Sequence, residues 1–98
     1  MKPWKSDQKP EPLYRVHPDY PRHAARMGRE GWVKMSFVID EEGFVKDIEV
    51  KTTSDKGRVF SDVAIDALSQ WRYAPQFEGG KPVDSSPRLV QLDFKMGH

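Results

Sequence analysis

Three histidines, a run of carboxylates and a glycine pair followed by lysine are the residues of this 98-residue sequence best suited to chemistry. His17, His23 and His98 are separated by intervals that no single helix or hairpin converts into a ligand set, and no H-E-x-x-H pattern accompanies them. A zinc site, which needs three or four converging donors, is therefore not expected. Asp40, Glu41 and Glu42 are contiguous, whereas a calcium loop spaces its ligands at alternate positions; the trio reads as a solvated turn. Gly79-Gly80-Lys81 ends like a phosphate-binding loop, but Pro82 stands where a Ser or Thr hydroxyl would meet magnesium, so this too reads as a turn. No nucleophile stands in a recognisable relation to a base, and cysteine is absent. The sequence predicts no catalytic residue, no metal and no cofactor.

That leaves binding. Arg15, His17, Arg22, His23, Arg26 and Arg29, set against Asp19 and Glu30, form a basic group suited to an acidic partner, where complementary charge speeds encounter more than it deepens affinity. Nucleic acid is not the expected partner: Lys and Arg together number 16 against 15 for Asp and Glu, and no stacking aromatics interleave with the patch. The lack of cysteine fits a reducing or an oxidising compartment equally. No run approaches the ~20 apolar residues of a membrane span, and the opening MKPWKSDQKPEP lacks the apolar stretch of a signal peptide.

The elements that must hold these residues follow from periodicity. Phe60, Val63, Ala64, Ala67, Leu68 and Trp71 recur at helical spacing, which predicts an amphipathic helix from Phe60 to Tyr73, ending on Trp71-Arg72-Tyr73. Ser61, Asp62, Asp66, Ser69, Gln70 and Arg72 make its polar side. Trp32 to Asp40 alternates as a strand, with Val33, Met35, Phe37 and Ile39 on one face. Asp40 to Gly43 makes a hairpin turn and Phe44 to Ser54 the return strand, with Ile48, Val50 and Thr52 together and Val45 out of phase, the mark of a bulge. Pro21 opens a short helix that Gly28 or Gly31 closes. Ala74 to Pro87 reads as a long connection rich in Gly and Pro, and Arg88 to Met96 as the last strand, with Val90, Leu92, Phe94 and Met96 inward.

Met1 to Pro12, with Pro3, Pro10 and Pro12 among charged residues and Trp4 as the only large apolar side chain, reads as an extended linker. Residues 13–98 are then one domain. A right-handed crossover from the second long strand through the main helix to the last strand leaves the first long strand between them. The expected fold is α+β: two helices packed on one face of a three-stranded antiparallel-type sheet, order 2-1-3, with the last strand as an unpaired edge.

Tyr20-Pro21 with Ala24-Ala25, then Gly31-x-Val33, Phe37, Gly43, Val45, Ile48 and Val50, then Phe60, Ala64, Ala67, Leu68, Trp71-Arg72-Tyr73-x-Pro75, Gly80-x-Pro82-Val83 and Phe94 form an ordered set. Over Leu13 to Met96 this set resembles the C-terminal domain of TonB-type energy transducers. The resemblance implies a non-enzymatic periplasmic domain of a protein anchored in the inner membrane of a Gram-negative bacterium. Such a domain grips TonB-dependent outer-membrane transporters for iron chelates, haem or cobalamin. It passes on force derived from the proton-motive complex of ExbB and ExbD, reached through a further N-terminal part.

The resemblance also implies that Arg88, Leu89, Val90, Gln91, Leu92, Asp93 and Phe94 accept the transporter's TonB box as an added strand, and that His17, Asp19, Tyr20, Pro21, Arg22 and His23 contact the transporter. His17 stands where the best-studied members carry Gln, which puts a group of pH-dependent charge at that contact. Strand addition draws affinity from main-chain hydrogen bonds and preference from alternate side chains. An exposed edge also pairs with a second copy, so a homodimer belongs among the expected assemblies. Outside this resemblance, the basic surface suits an envelope scaffold module that binds peptidoglycan or acidic lipid.

Overall fold

The computed structural model describes residues 7–54 and 58–97. The first half of the expected linker, with Trp4, and His98 lie outside the described residues. In chain order the elements are β1 (Glu11–Tyr14), α1 (Arg22–Arg26), β2 (Gly31–Ile39), β3 (Val45–Thr53), α2 (Ser61–Ser69), β4 (Arg72–Ala74), β5 (Gln76–Glu78), β6 (Lys81–Val83) and β7 (Arg88–Phe94).

The centre of the molecule is β2. Its alternation turns Val33, Met35, Phe37 and Ile39 inward, each at most 2% exposed, as the two-residue period of a strand requires. Antiparallel neighbours flank it, β3 on one side and β7 on the other, in the order β3-β2-β7. The slip between Val45 and Ile48 is a bulge: the register shifts between Ser36 and Val38, and Asp47 takes a φ of 54°. A second shift between Lys34 and Met35 sets Thr52 opposite outward-facing Lys34, so Thr52 does not share a face with Val50 as expected. At the turn, Asp40 Oδ1 accepts from the backbone N–H groups of Glu42 and Phe44 at 2.8 and 2.9 Å. This local capture of free donors is why an acidic residue opens the turn.

Helix α2 lays its stripe across this sheet. Phe60, Ala64, Ala67, Leu68 and Trp71 are all buried, and Val63 and Ile65 pack around them. The helix is shorter than its periodicity predicts, ending at Ser69 instead of Tyr73. Arg72–Ala74 instead forms β4, because its backbone has better partners elsewhere: β1 pairs with it on one side, and Tyr73 N–H donates to the Gly43 carbonyl at 3.0 Å on the other. Trp71 stays on the buried side after the helix stops, so the stripe outlasts the helix that carries it. Ser61, assigned to the polar side, is fully buried, since the first turn of α2 sinks into the core beside Phe60.

The sheet is therefore not the whole β structure. Two antiparallel ribbons accompany it, β1-β4 and β5-β6, where a long connection from Ala74 to Pro87 was expected. Gly79 and Gly80, with φ of 60° and 80°, close the β5-β6 hairpin; positive φ at both central residues is the two-residue turn that matches strand twist. Pairing also reaches into the residues expected as linker, where Gln8 exchanges two 2.9 Å backbone hydrogen bonds with Phe77 and β1 begins at Glu11.

Pro21 caps α1, and its carbonyl accepts from Ala25 N–H at 2.9 Å. Proline suits this place because the first helical N–H groups have no intrahelical partner. Ala24 is the buried contact of this short helix.

Candidate functional site

Seven consecutive residues of β7 pair with β2 without a register shift, and among the described residues no strand pairs with the other side of β7. Its outer backbone groups therefore form an uninterrupted row. The opposite edge of the sheet is built differently: β3 carries two register shifts and presents exposed Lys46 and Lys51. Bulges and lysines deter pairing along an edge. Of the two edges, β7 is the one fit to receive another strand.

Inward-facing residues hold β7 in place. Phe94 is 2% exposed and stacks on Phe60 at 4.6 Å between centroids, while Tyr20 meets both rings edge-on at 5.8 Å. Val90 and Leu92 are half-buried against the same core. Leu89, Gln91 and Asp93 point the other way and are exposed, with Gln91 Nε2 donating to Asp93 Oδ1 at 2.9 Å. Where β7 begins, Ser85 ties it to the end of β2. Its N–H donates to the Ile39 carbonyl at 2.8 Å and its Oγ accepts from Ile39 N–H at 2.9 Å.

A groove of about 220 Å³ runs between β7 and the segment that precedes α1, lined by Arg15, Val16, His17, Pro18, Trp71, Val90, Gln91 and Leu92. The segment is pinned from below. Trp71 Nε1–H donates to the Val16 carbonyl at 3.0 Å, and the Arg15 guanidinium lies 4.7 Å from the Trp71 ring centroid. Tyr20 anchors its far end, with its hydroxyl donating to the Arg29 carbonyl. Burial, reinforced by the Glu30 carboxylate, pushes the Tyr20 phenol above its ordinary pKa, so it remains a donor.

Sequence comparison places this geometry. Residues 16–96 match the family described as Gram-negative bacterial TonB protein C-terminal. The chain belongs to this TonB C-terminal family. It is 38% identical to Protein TonB of Pseudomonas aeruginosa over 78 residues, which cover 80% of this chain and 22% of that protein. It is 31% identical to Protein TonB of Escherichia coli K12 over 87 residues, covering 89% of this chain and 34% of that one. The chain thus spans between about a fifth and a third of the length of these relatives. Among solved structures, the solution NMR structure of the Pseudomonas aeruginosa TonB CTD superposes with a TM-score of 0.78 at 34% identity, over 94% of this chain and 91% of that one. The tonb2 protein from Vibrio anguillarum superposes with a TM-score of 0.67 at 39% identity, over 100% and 92%. The fold, two helices with antiparallel sheets, is that of a TonB C-terminal domain.

Within this TonB domain, the residues singled out from sequence fall into three places. His17 shares one groove with Val90, Gln91 and Leu92. Arg88 sits at the other end of β7, its guanidinium 5.6 Å from the Tyr73 ring centroid. Asp19, Arg22 and His23 are exposed nearby in the chain, while Tyr20 and Pro21 are half-buried, the first in the aromatic cluster and the second as the cap of α1. The Phe94 side chain belongs to the core, leaving only its backbone to an incoming strand. Arg15, a member of the basic group read from sequence, also lines the groove, as do Val16 and Trp71, which sequence reasoning did not place in a site. The signal available for Trp71 was its place at the end of the apolar stripe, next to a chain about to leave the helix.

Proposed function

We propose that this chain is the periplasmic domain of a TonB-type energy transducer that takes the TonB box of an outer-membrane transporter as an added strand on β7. The observation that carries the proposal is the unbroken open edge of β7 beside the groove walled by Arg15–Pro18, in a chain of this family. Main-chain hydrogen bonds along the edge supply affinity, at about 1 kcal/mol net each. Side chains facing the groove, among them His17, Val90 and Leu92, supply preference.

The domain works by holding and transmitting, without catalysis. Force from an ExbB and ExbD complex enters through chain N-terminal to the domain, and the substrates served are iron chelates, haem or cobalamin. Asp19, Arg22 and His23, exposed before and on α1, meet the periplasmic face of the transporter. Pairing of β7 edges between two copies supplies a homodimer when no peptide is present.

Amide NMR with a synthetic TonB-box peptide tests the reading. Saturating peptide shifts the backbone amides of Arg88–Phe94 and of Val16 and His17. Unmoved amides along that strand at saturation refute it.

A further inference from the structure

The residues just before the family-matched region run alongside the same edge. Asp7, Gln8, Lys9 and Pro10 share a recess of about 730 Å³ with Phe77 and Arg88, at the end of β7 opposite Phe94. The chain then continues as β1 along β4 and becomes the Arg15–Pro18 wall of the smaller groove. The two ends of this stretch thus meet β7, residues 7–10 at Arg88 and residues 15–18 at Val90, Gln91 and Leu92, with β1 held on β4 between them.

This stretch is held differently at its two ends. Beyond Arg15 it is fixed by Trp71 and by Tyr20 in the aromatic cluster. Before Arg15 it is held mainly by hydrogen bonds at the surface: the Gln8–Phe77 exchange, Gln8 Nε2 to the Pro75 carbonyl at 3.2 Å, and Gly79 N–H to Asp7 Oδ1 at 3.1 Å. Pro10 is buried, but Leu13 and Tyr14 are 71% and 59% exposed, so little apolar burial reinforces the ladder. Pro12 brings no N–H to it, and its register breaks between Pro12 and Tyr14. Few buried contacts and solvent-exposed hydrogen bonds are the marks of a unit that opens locally.

We propose that Asp7–Tyr14 is a detachable strap whose pairing with Arg72–Glu78 keeps the Arg15–Pro18 wall closed over the peptide edge, so that a pull on the N-terminus opens the groove before it disturbs the sheet. This rests on the proposed function, which puts the peptide on β7 and the load at the N-terminal side. A pull from that side loads the strap from Gln8 onward, one pair after another, whereas β7 is held to β2 by seven consecutive pairs and by Phe94 in the core. Once β1 has left β4, the next groups to be loaded are Arg15 and Val16 on Trp71, the wall itself. Grip on the transporter is therefore limited by strap release, and the sheet survives to grip again.

The sequence has no cysteine, so a cross-strand pair at the register partners Glu11 and Ala74 is the only thiol pair in the chain. In the variant E11C/A74C, oxidised and reduced forms bind a surface-tethered TonB-box peptide at zero load within about two-fold of each other. With load applied at the N-terminus, the oxidised form dwells on the peptide at least ten times longer than the reduced one. Equal dwell times under load overturn the proposal.

A second measurement needs no peptide. In the parent chain the Gln8 and Phe77 amides exchange with solvent at least a hundred times faster than those of β2; equal protection means that the strap does not detach and also overturns the proposal. Failure of the parent chain to bind the peptide at zero load refutes the proposed function instead, and the exchange measurement still decides whether the strap detaches.

Discussion

Trp71 and Val16, 55 positions apart, are joined by the indole Nε1–H donating to the Val16 carbonyl at 3.0 Å. This bond links the last residue of the core stripe to the wall of the groove. Trp71→Phe keeps most of the ring and removes the donor, leaving the Val16 carbonyl unpaired, and costs about 1 to 2 kcal/mol of stability. The larger effect is local: the Val16 and His17 amides shift and lose protection, and peptide affinity falls more than stability does. Denaturant midpoints and peptide titration on the same variant separate the two. Trp71→Ala empties a core site and costs about 3 to 5 kcal/mol.

High pH weakens the fold through two identified groups. The Tyr20 phenol is raised by burial and by Glu30, and the Lys46 ammonium is raised by its hydrogen bond to Asp84, 2.6 Å away. Both groups hold their protons more tightly in the folded chain than in the unfolded one. The stability they contribute is therefore complete below about pH 10 and is lost as pH rises through their raised values. Tyr20→Phe and Lys46→Gln each flatten part of that alkaline decline. Denaturant melts between pH 8 and pH 11 measure it, about one pH unit apart, and an unchanged slope in both variants contradicts the assignment.

Arg22 and Arg26 are exposed on α1, with His23 between them. If this face meets an acidic surface of the transporter, R22E/R26E slows association with the whole transporter about ten-fold at low salt. The difference shrinks as salt screens it, and binding of an isolated TonB-box peptide to β7 is unaffected. Stopped-flow association at two ionic strengths gives the answer; equal rates for parent and variant assign these arginines to solvent alone.

How much of this was legible beforehand depended on whether each element is fixed by its own residues. β2 declares itself, because alternation places Val33, Met35, Phe37 and Ile39 inward whatever surrounds it, and the Val45 to Ile48 slip marked a real bulge. The end of α2 did not. Pro75 biases Ala74 away from helix, but nothing local stops the helix at Ser69; the strand state of Arg72–Ala74 comes from β1 and Gly43, far away in sequence. β1 itself was hidden for the same reason, since a proline-containing segment with exposed side chains becomes a strand only when a partner is present. The β5-β6 hairpin is signalled by Gly79-Gly80, but the prolines around it point equally to an irregular connection. The groove wall at Arg15 and Val16 depends on Trp71 meeting a backbone carbonyl, which no spacing rule reveals.

Gly43 shows how tightly the hairpin turn sits on β4. Its φ is 90°, and a Cβ built there would lie 2.0 Å from the Tyr73 carbonyl oxygen. Gly43→Ala therefore combines backbone strain with a collision against backbone that cannot turn aside, and costs at least about 3 kcal/mol. Gly79, with φ of 60° and nothing within 4 Å of its would-be Cβ, is the control; Gly79→Ala bears the left-handed penalty alone, about 1 kcal/mol. Chemical denaturation of the two variants compares them directly, and equal losses mean that the approach of Gly43 to Tyr73 is not what the turn depends on.

The two faces of β7 are predicted to fail in different ways. Phe94 is 2% exposed and stacked on Phe60, whereas Leu89, on the other face, is 67% exposed. Phe94→Ala removes an aromatic ring from the core and costs about 3 to 5 kcal/mol, lowering peptide binding only in proportion to the unfolded fraction. Leu89→Ser changes stability by no more than about 0.5 kcal/mol and leaves the main-chain row intact, so any change in peptide affinity reports side-chain preference at that position alone. Measuring binding well below the melting temperature of both proteins separates these cases. If Phe94→Ala stays folded and yet loses the peptide, the inward face of β7 takes part in recognition and is not simply the anchor that keeps the edge straight.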